Sequence, residues 1–133
     1  MAADPKTISR RPQWPLSLVG GIRAAMYRDP SKIAIREAGN SRTFRQLIER
    51  IDRITQGLIN ELSLSVNDHA AILASNSIEY VEVVAAASQA GIGLATINPR
   101  LSTVEFTAIC DDAEARVLFV DSDNAERARS TKF

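Results

Sequence analysis

The sequence predicts an α/β fold: a small parallel β-sheet flanked by helices and preceded by a β-hairpin. Three observations predict it. From Asp68 onward, short apolar runs alternate with helical patterns in the order strand, helix, strand, helix, strand; joined by right-handed crossovers, these make a parallel sheet covered by helices. Upstream, Phe44, Leu47, Ile48, Ile51, Ile54, Leu58 and Leu62 recur with the i, i+3, i+4 spacing of one buried helical face. Before them, Ile33 and Ile35 alternate with polar neighbours and run into Gly39-Asn40, a two-residue turn signal.

The 133 residues are one domain's worth, with 45% apolar and 24% charged side chains, enough for a real core. Sixteen Lys and Arg balance sixteen Asp and Glu, so no global field draws in nucleic acid or an anionic membrane. A single cysteine, Cys110, rules out an intramolecular disulfide and fits a reducing, cytoplasmic setting. No apolar run reaches the length of a membrane span.

In chain order, residues 1–15 hold Pro5, Pro12 and Pro15 and read as a flexible tail, with Trp14 pinning it to the body. Ser9-Arg10-Arg11 before Leu16–Ile22 raises a twin-arginine signal, but Gly20, Gly21 and Arg23 break up the apolar patch and no small-residue cleavage site follows. Leu18, Ile22, Ala25 and Met26 predict a short amphipathic helix over residues 16–27, stopped by Asp29-Pro30-Ser31. Gly39-Asn40 turns the hairpin and Arg42–Phe44 returns. Thr43 and Gln46 make a capping box for the long helix, whose charged residues, Arg45, Glu49, Arg50, Asp52, Arg53 and Glu61, read as a solvated face.

Residues 63–68 form a loop, and Ala70–Ala74 reads as a strand buried on both faces. Asn76 caps the next helix, with Glu79 behind it; Ala85, Ala86, Ala87 and Ala90 permit close approach to the sheet, and Gly91 stops the helix. The strand over residues 92–97 is expected at the sheet centre. Ser102 and Glu105 form another capping box, and the helix over residues 103–112 buries some of Val104, Phe106 and Ile109. Val117–Val120 is a further buried strand, and the polar residues 122–133 are expected to fray. The organisation is thus a tail over residues 1–15, a body over 16–121 and a second tail over 122–133.

Few residues carry chemistry. Gly91-x-Gly93 lacks a third glycine and joins helix to strand, the reverse of a dinucleotide fingerprint, so it reads as a helix stop plus close packing. His69 is the only histidine and reads as a strand-edge residue; Cys110 reads as a packed thiol. Asp111-Asp112 and Asp121-x-Asp123 read as turn or solvent-facing carboxylates in preference to metal ligands. Arg100 lies beyond the carboxyl end of a strand, the edge at which open parallel sheets gather ligands. A guanidinium there can grip a phosphate in a bidentate manner or serve the loop locally, and physical reasoning leaves both open.

Four stretches, in order, resemble the adenylate-forming superfamily of acyl- and aryl-CoA synthetases, luciferases and peptide-synthetase adenylation domains. Ala34 with Arg42-Thr43-Phe44-x-x-Leu47 is similar to its "A…T-Y-x-E-L"; Asp68-x-Ala70-x-Ile72-Leu73 and Asn76-Ser77-x-Glu79-Tyr80 to its "G-D-x-V-A-I…P-N-S-x-E"; and Gln89-Ala90-Gly91 with Ile97-Asn98-Pro99-Arg100-Leu101 to its "K-A-G-A-x-x-x-P-x-N-P-R-L". The N-P-R-L ending leans towards CoA ligases. Asn67 replaces a usual glycine, and Ala95-Thr96 a frequent valine–proline pair.

The resemblance implies part of the N-terminal domain of an enzyme that activates a fatty or aryl acid with ATP to an acyl-adenylate and transfers it to CoA, with ATP, magnesium and CoA as ligands of the intact ligase. The family's phosphate loop, T-S-G-[ST]-T-G-x-P-K-G, does not occur in these 133 residues, so the chain alone is expected to be an inactive fragment with no catalytic residue and no cofactor of its own. One residue carries over: in some family members the N-P-R arginine contacts CoA phosphates, which falls on Arg100. Expected partners are the remainder of the ligase or a second copy through uncovered apolar surface. The alternative is a complete non-catalytic α/β module that binds a protein partner or a nucleotide.

Overall fold

The computed structural model describes residues 17–131. The expected tail over residues 1–15, Trp14 within it and the last two residues lie outside them. The element order is α1 (Leu18–Arg28), β1 (Ile33–Glu37), β2 (Asn40–Thr43), α2 (Phe44–Asn60), β3 (His69–Leu73), α3 (Ile78–Ala90), β4 (Gly93–Ile97), α4 (Thr103–Asp112), β5 (Ala115–Val120) and α5 (Ala125–Arg129). β1 and β2 form an antiparallel hairpin, and β4-β3-β5 form a three-stranded parallel sheet. This is the predicted α/β architecture.

β3 holds the centre because Ala70, Ala71, Ile72 and Leu73 are all buried, the pattern of a strand covered on both faces. The strand over residues 92–97, expected at the centre, lies at the edge as β4. Its pattern is mixed: Thr96 is exposed while Ile97 is buried. On one side of the sheet, Val19, Leu47, Ile48, Ile51, Leu58, Ala85 and Ala86 build the larger core, with Ala70 and Ile92 from the sheet side. On the other side, Phe106 and Cys110 from α4 pack on Ala71, Leu73 and Ile97. The alanines of α3 do what their size allows: no side chain longer than a methyl separates that part of the helix from its neighbours.

The capping predictions hold for α2 and α4. Thr43 Oγ1 accepts from Gln46 N while Gln46 Oε1 accepts from Thr43 N, at 3.2 and 2.9 Å; Ser102 and Glu105 form the same reciprocal pair. At α3 the cap is Ser77, one residue after the expected Asn76, and its Oγ accepts from Tyr80 N at 3.0 Å. Here Glu37 Oε2, reaching in from the hairpin, accepts from Ile78 N at 2.8 Å, so the frame of the helix start is set by a distant strand. Ser17 caps α1 through Gly20 N.

The hairpin turn is Ala38-Gly39, with Glu37 opposite Asn40, one residue earlier than expected. Both turn residues have positive φ, 41° and 87°, as a tight two-residue hairpin requires. A glycine serves either central position of such a turn, so the dipeptide alone does not set the register.

Leu62, expected inside, is exposed, and of the three candidates on α4 Phe106 is buried while Val104 is exposed to 79%. α2 ends at Asn60 and Ser63 turns the chain at φ 52°, so Leu64 covers the core instead. In α1 the buried positions are Val19 and Gly20 while Leu18 is exposed, with Ile22 and Met26 packed against the core. Residues 122–131, expected to fray, contain α5 and a buried Asn124.

Candidate functional site

The carboxyl ends of β3 and β4 open into a cleft of about 520 Å³. Ser75 and Asn76, from the loop after β3, and Tyr80 of α3 form one wall; Thr96, Asn98 and Arg100 form the other. The parallel sheet causes this placement: both strands end on the same edge, so their following loops face each other.

Arg100 therefore sits where the sequence reading expected, on a strand's carboxyl edge. Its backbone is held: Asn98 Oδ1 accepts from Arg100 N at 2.9 Å, and Asn98 O accepts from Leu101 N at 3.1 Å. Its side chain is exposed and, among the described residues, makes no hydrogen bond or ion pair.

The polar frame of the cleft is built by Asp121, read from sequence as a turn or solvent-facing carboxylate, and by Asn124 and Arg127, which the sequence reading passed over. Asp121, at the end of β5, accepts from Ser75 N through Oδ2 at 2.7 Å and from Asn124 N and Nδ2 through Oδ1 at 3.0 and 2.6 Å. The backbone hydrogen bond from Ser75, then those from Asn124, hold the Asp121 carboxyl below the usual carboxylate range, outweighing its partial burial. Arg127 Nη1 donates to Leu101 O at 2.7 Å, and Nη2 donates to Pro99 O and Asn124 Oδ1, both at 2.8 Å. Its guanidinium also lies over the Phe106 ring, 5.3 Å from the centroid, a cation–π distance. Residues 121–127 read in sequence only as a polar segment after a strand, and such a segment does not say where it folds back.

The other candidates keep structural roles. His69 lies at the amino end of β3, opposite Gly93 and Ala115, away from the cleft. A Cβ on Gly93 would lie 2.2 Å from His69 Cδ2, so this glycine exists for close packing. Gly91 ends α3 at φ 71°, the left-handed stop that glycine adopts without strain. Cys110 is buried, and burial first, then the Asp111 charge, pushes its thiol pKa up, the opposite of an activated nucleophile. Among the described residues, no three His, Cys, Asp or Glu side chains converge as a metal set.

One part of the charged face of α2 is not simply solvated. Glu82 on α3 is fully buried, and its Oε2 accepts from Arg50 Nε and Nη2 at 3.1 and 3.0 Å. Glu82 Oε1 lies 3.6 Å from Arg42 Nε and has no hydrogen-bond partner among the described residues. Asp52 meets Arg23 of α1 and Gln89 of α3.

A protein-family profile described as AMP-binding enzyme matches residues 22–132. The chain is 32% identical over 115 residues to the peroxisomal trans-cinnamate:CoA ligase of Petunia hybrida, covering 86% of this chain and 20% of that protein. It is 31% identical over 113 residues to a feruloyl-CoA synthase of Amycolatopsis, covering 85% and 21%. The chain thus spans about a fifth of the length of the curated relatives it matches. Among solved structures, the O-succinylbenzoate coenzyme A synthetase of Bacillus subtilis in complex with AMP superposes with a TM-score of 0.73 at 27% identity, over 81% of this chain and 28% of that one.

Proposed function

The chain belongs to the AMP-binding enzyme family, and on that premise we propose that it is the N-terminal part of an acid–CoA ligase. The ligase activates a fatty or aryl carboxylic acid with ATP to an acyl-adenylate, and the CoA thiol then displaces AMP. Within it these residues supply the scaffold and a CoA-facing edge. The observation that carries the site assignment is the exposed Arg100 guanidinium, unpaired among the described residues, at the cleft on the carboxyl edge of the sheet. Such a group breaks no existing bond when it takes a phosphate, and its planar fork matches two phosphate oxygens. Arg100 would hold a phosphate of CoA. The exposed apolar residues, Val66 and Val104 foremost, would meet the remainder of the ligase or a second copy of this chain.

Titration calorimetry with CoA tests the reading. Arg100→Ala is expected to weaken CoA by about tenfold or more, the worth of a charge-assisted hydrogen bond; unchanged affinity would remove Arg100 from the site. With no phosphate-loop motif in its sequence, the 133-residue chain is expected to show no carboxylate-dependent ATP–pyrophosphate exchange. Clear turnover would overturn the scaffold role.

A further inference from the structure

The peptide of Arg100 is fixed from both sides while its side chain is left free. Asn98 holds it from one side through Arg100 N and Leu101 N. From the other, Arg127 donates to the carbonyls of Pro99 and Leu101, the residues on either side of Arg100. Two carbonyls separated by one residue are spanned by one rigid guanidinium fork, and a flexible ammonium has no equivalent geometry. The fork is itself held: Phe106 beneath it is fully buried, and Asn124, which accepts from Arg127, is buried and bound to Asp121. Asp121 in turn grips Ser75 N on the opposite wall of the cleft. A continuous polar strap, Ser75–Asp121–Asn124–Arg127–Pro99/Leu101, therefore ties the carboxyl ends of all three sheet strands together.

We propose that Arg127 is a positioning residue: it orders the loop over residues 98–101 and thereby presents Arg100 to a phosphate-bearing ligand in the cleft. The inference rests, for its ligand, on the reading of Arg100 given above; the ordering of the loop does not. Three of the five N–H donors of Arg127 already go to protein oxygens, and Arg127 is not among the residues that line the cleft. Its effect must pass through Arg100. If releasing the loop leaves Arg100 correctly placed about a tenth of the time, apparent affinity falls about tenfold.

The test uses the 133-residue chain, with CoA titrations and 15N relaxation of the loop amides. Arg127→Gln is expected to keep the dispersed amide spectrum of the folded protein, to raise mobility at Arg100 and Leu101, and to weaken CoA about tenfold. Arg127→Lys, which keeps the charge but not the fork, is expected to resemble it and replaces it in every measurement should Arg127→Gln fail to fold. In an Arg100→Ala background the same substitution is expected to cost less than about twofold, because the two residues act on one contact. A merely structural role would lower affinity equally in both backgrounds and would overturn the proposal. So would wild-type loop order in Arg127→Gln, or full rescue by Arg127→Lys. If wild-type chain fails to bind CoA, or binds it regardless of Arg100, the Arg100 reading falls, and the relaxation data alone decide whether Arg127 orders the loop.

Discussion

Glu82 shows what a single residue can hide. It lies in a run of small and apolar residues on α3, yet its side chain is fully buried and takes both donors of Arg50. Desolvating a carboxylate is costly, and the partner offsets that cost without returning a large surplus. Removing the partner alone is the damaging change. Arg50→Ala is expected to destabilise the chain by about 3 kcal/mol, read as a lower urea midpoint at unchanged slope. Arg50→Ala combined with Glu82→Leu is expected to recover most of the loss, because no uncompensated charge then stays inside. Equal midpoints for wild type and Arg50→Ala would show that Arg42, 3.6 Å away, already suffices. Arg50 was read from sequence as solvated, since helical spacing reports which face a residue occupies and not what the neighbouring helix presents to it.

Local signals are strongest where one stretch contains both members of a contact. The capping boxes at Thr43 and Ser102 were legible because donor and acceptor lie three residues apart. The start of α3 and the hairpin frame were misread by one residue each, and both involve Glu37, which reaches across from β1 to Ile78 N. The hairpin carries a removable strain: Ala38 sits at φ 41°, a left-handed conformation that costs a residue with a Cβ about 1 kcal/mol. Ala38→Asn, giving the preferred Asn-Gly turn, is expected to raise stability by about 0.5–1 kcal/mol, measured by chemical denaturation. A loss of stability would mean that the turn is not of the two-residue form with positive φ at both positions.

At the scale of the molecule, the sheet among the described residues has three strands with β4 and β5 at its edges, and Val66, Val104 and Leu18 are exposed. Unpaired edges and uncovered apolar side chains favour association. Sedimentation velocity is expected to show average mass rising with concentration, and Val104→Asp to reduce the rise; a monomer throughout, with no dye binding to apolar surface, would contradict this. By itself the sequence determined the fold class, most elements, the helix caps and the family motifs, because periodicity, capping and turn chemistry act within a few residues. It also placed Arg100 at a strand's carboxyl end. Only the tertiary structure decided that β3 is the central strand, that Glu82 is a buried charge, and that the expected tail folds back through Arg127 onto the loop of Arg100. Each of these depends on groups that are 24 or more residues apart in the chain, and such pairings leave no local pattern to read.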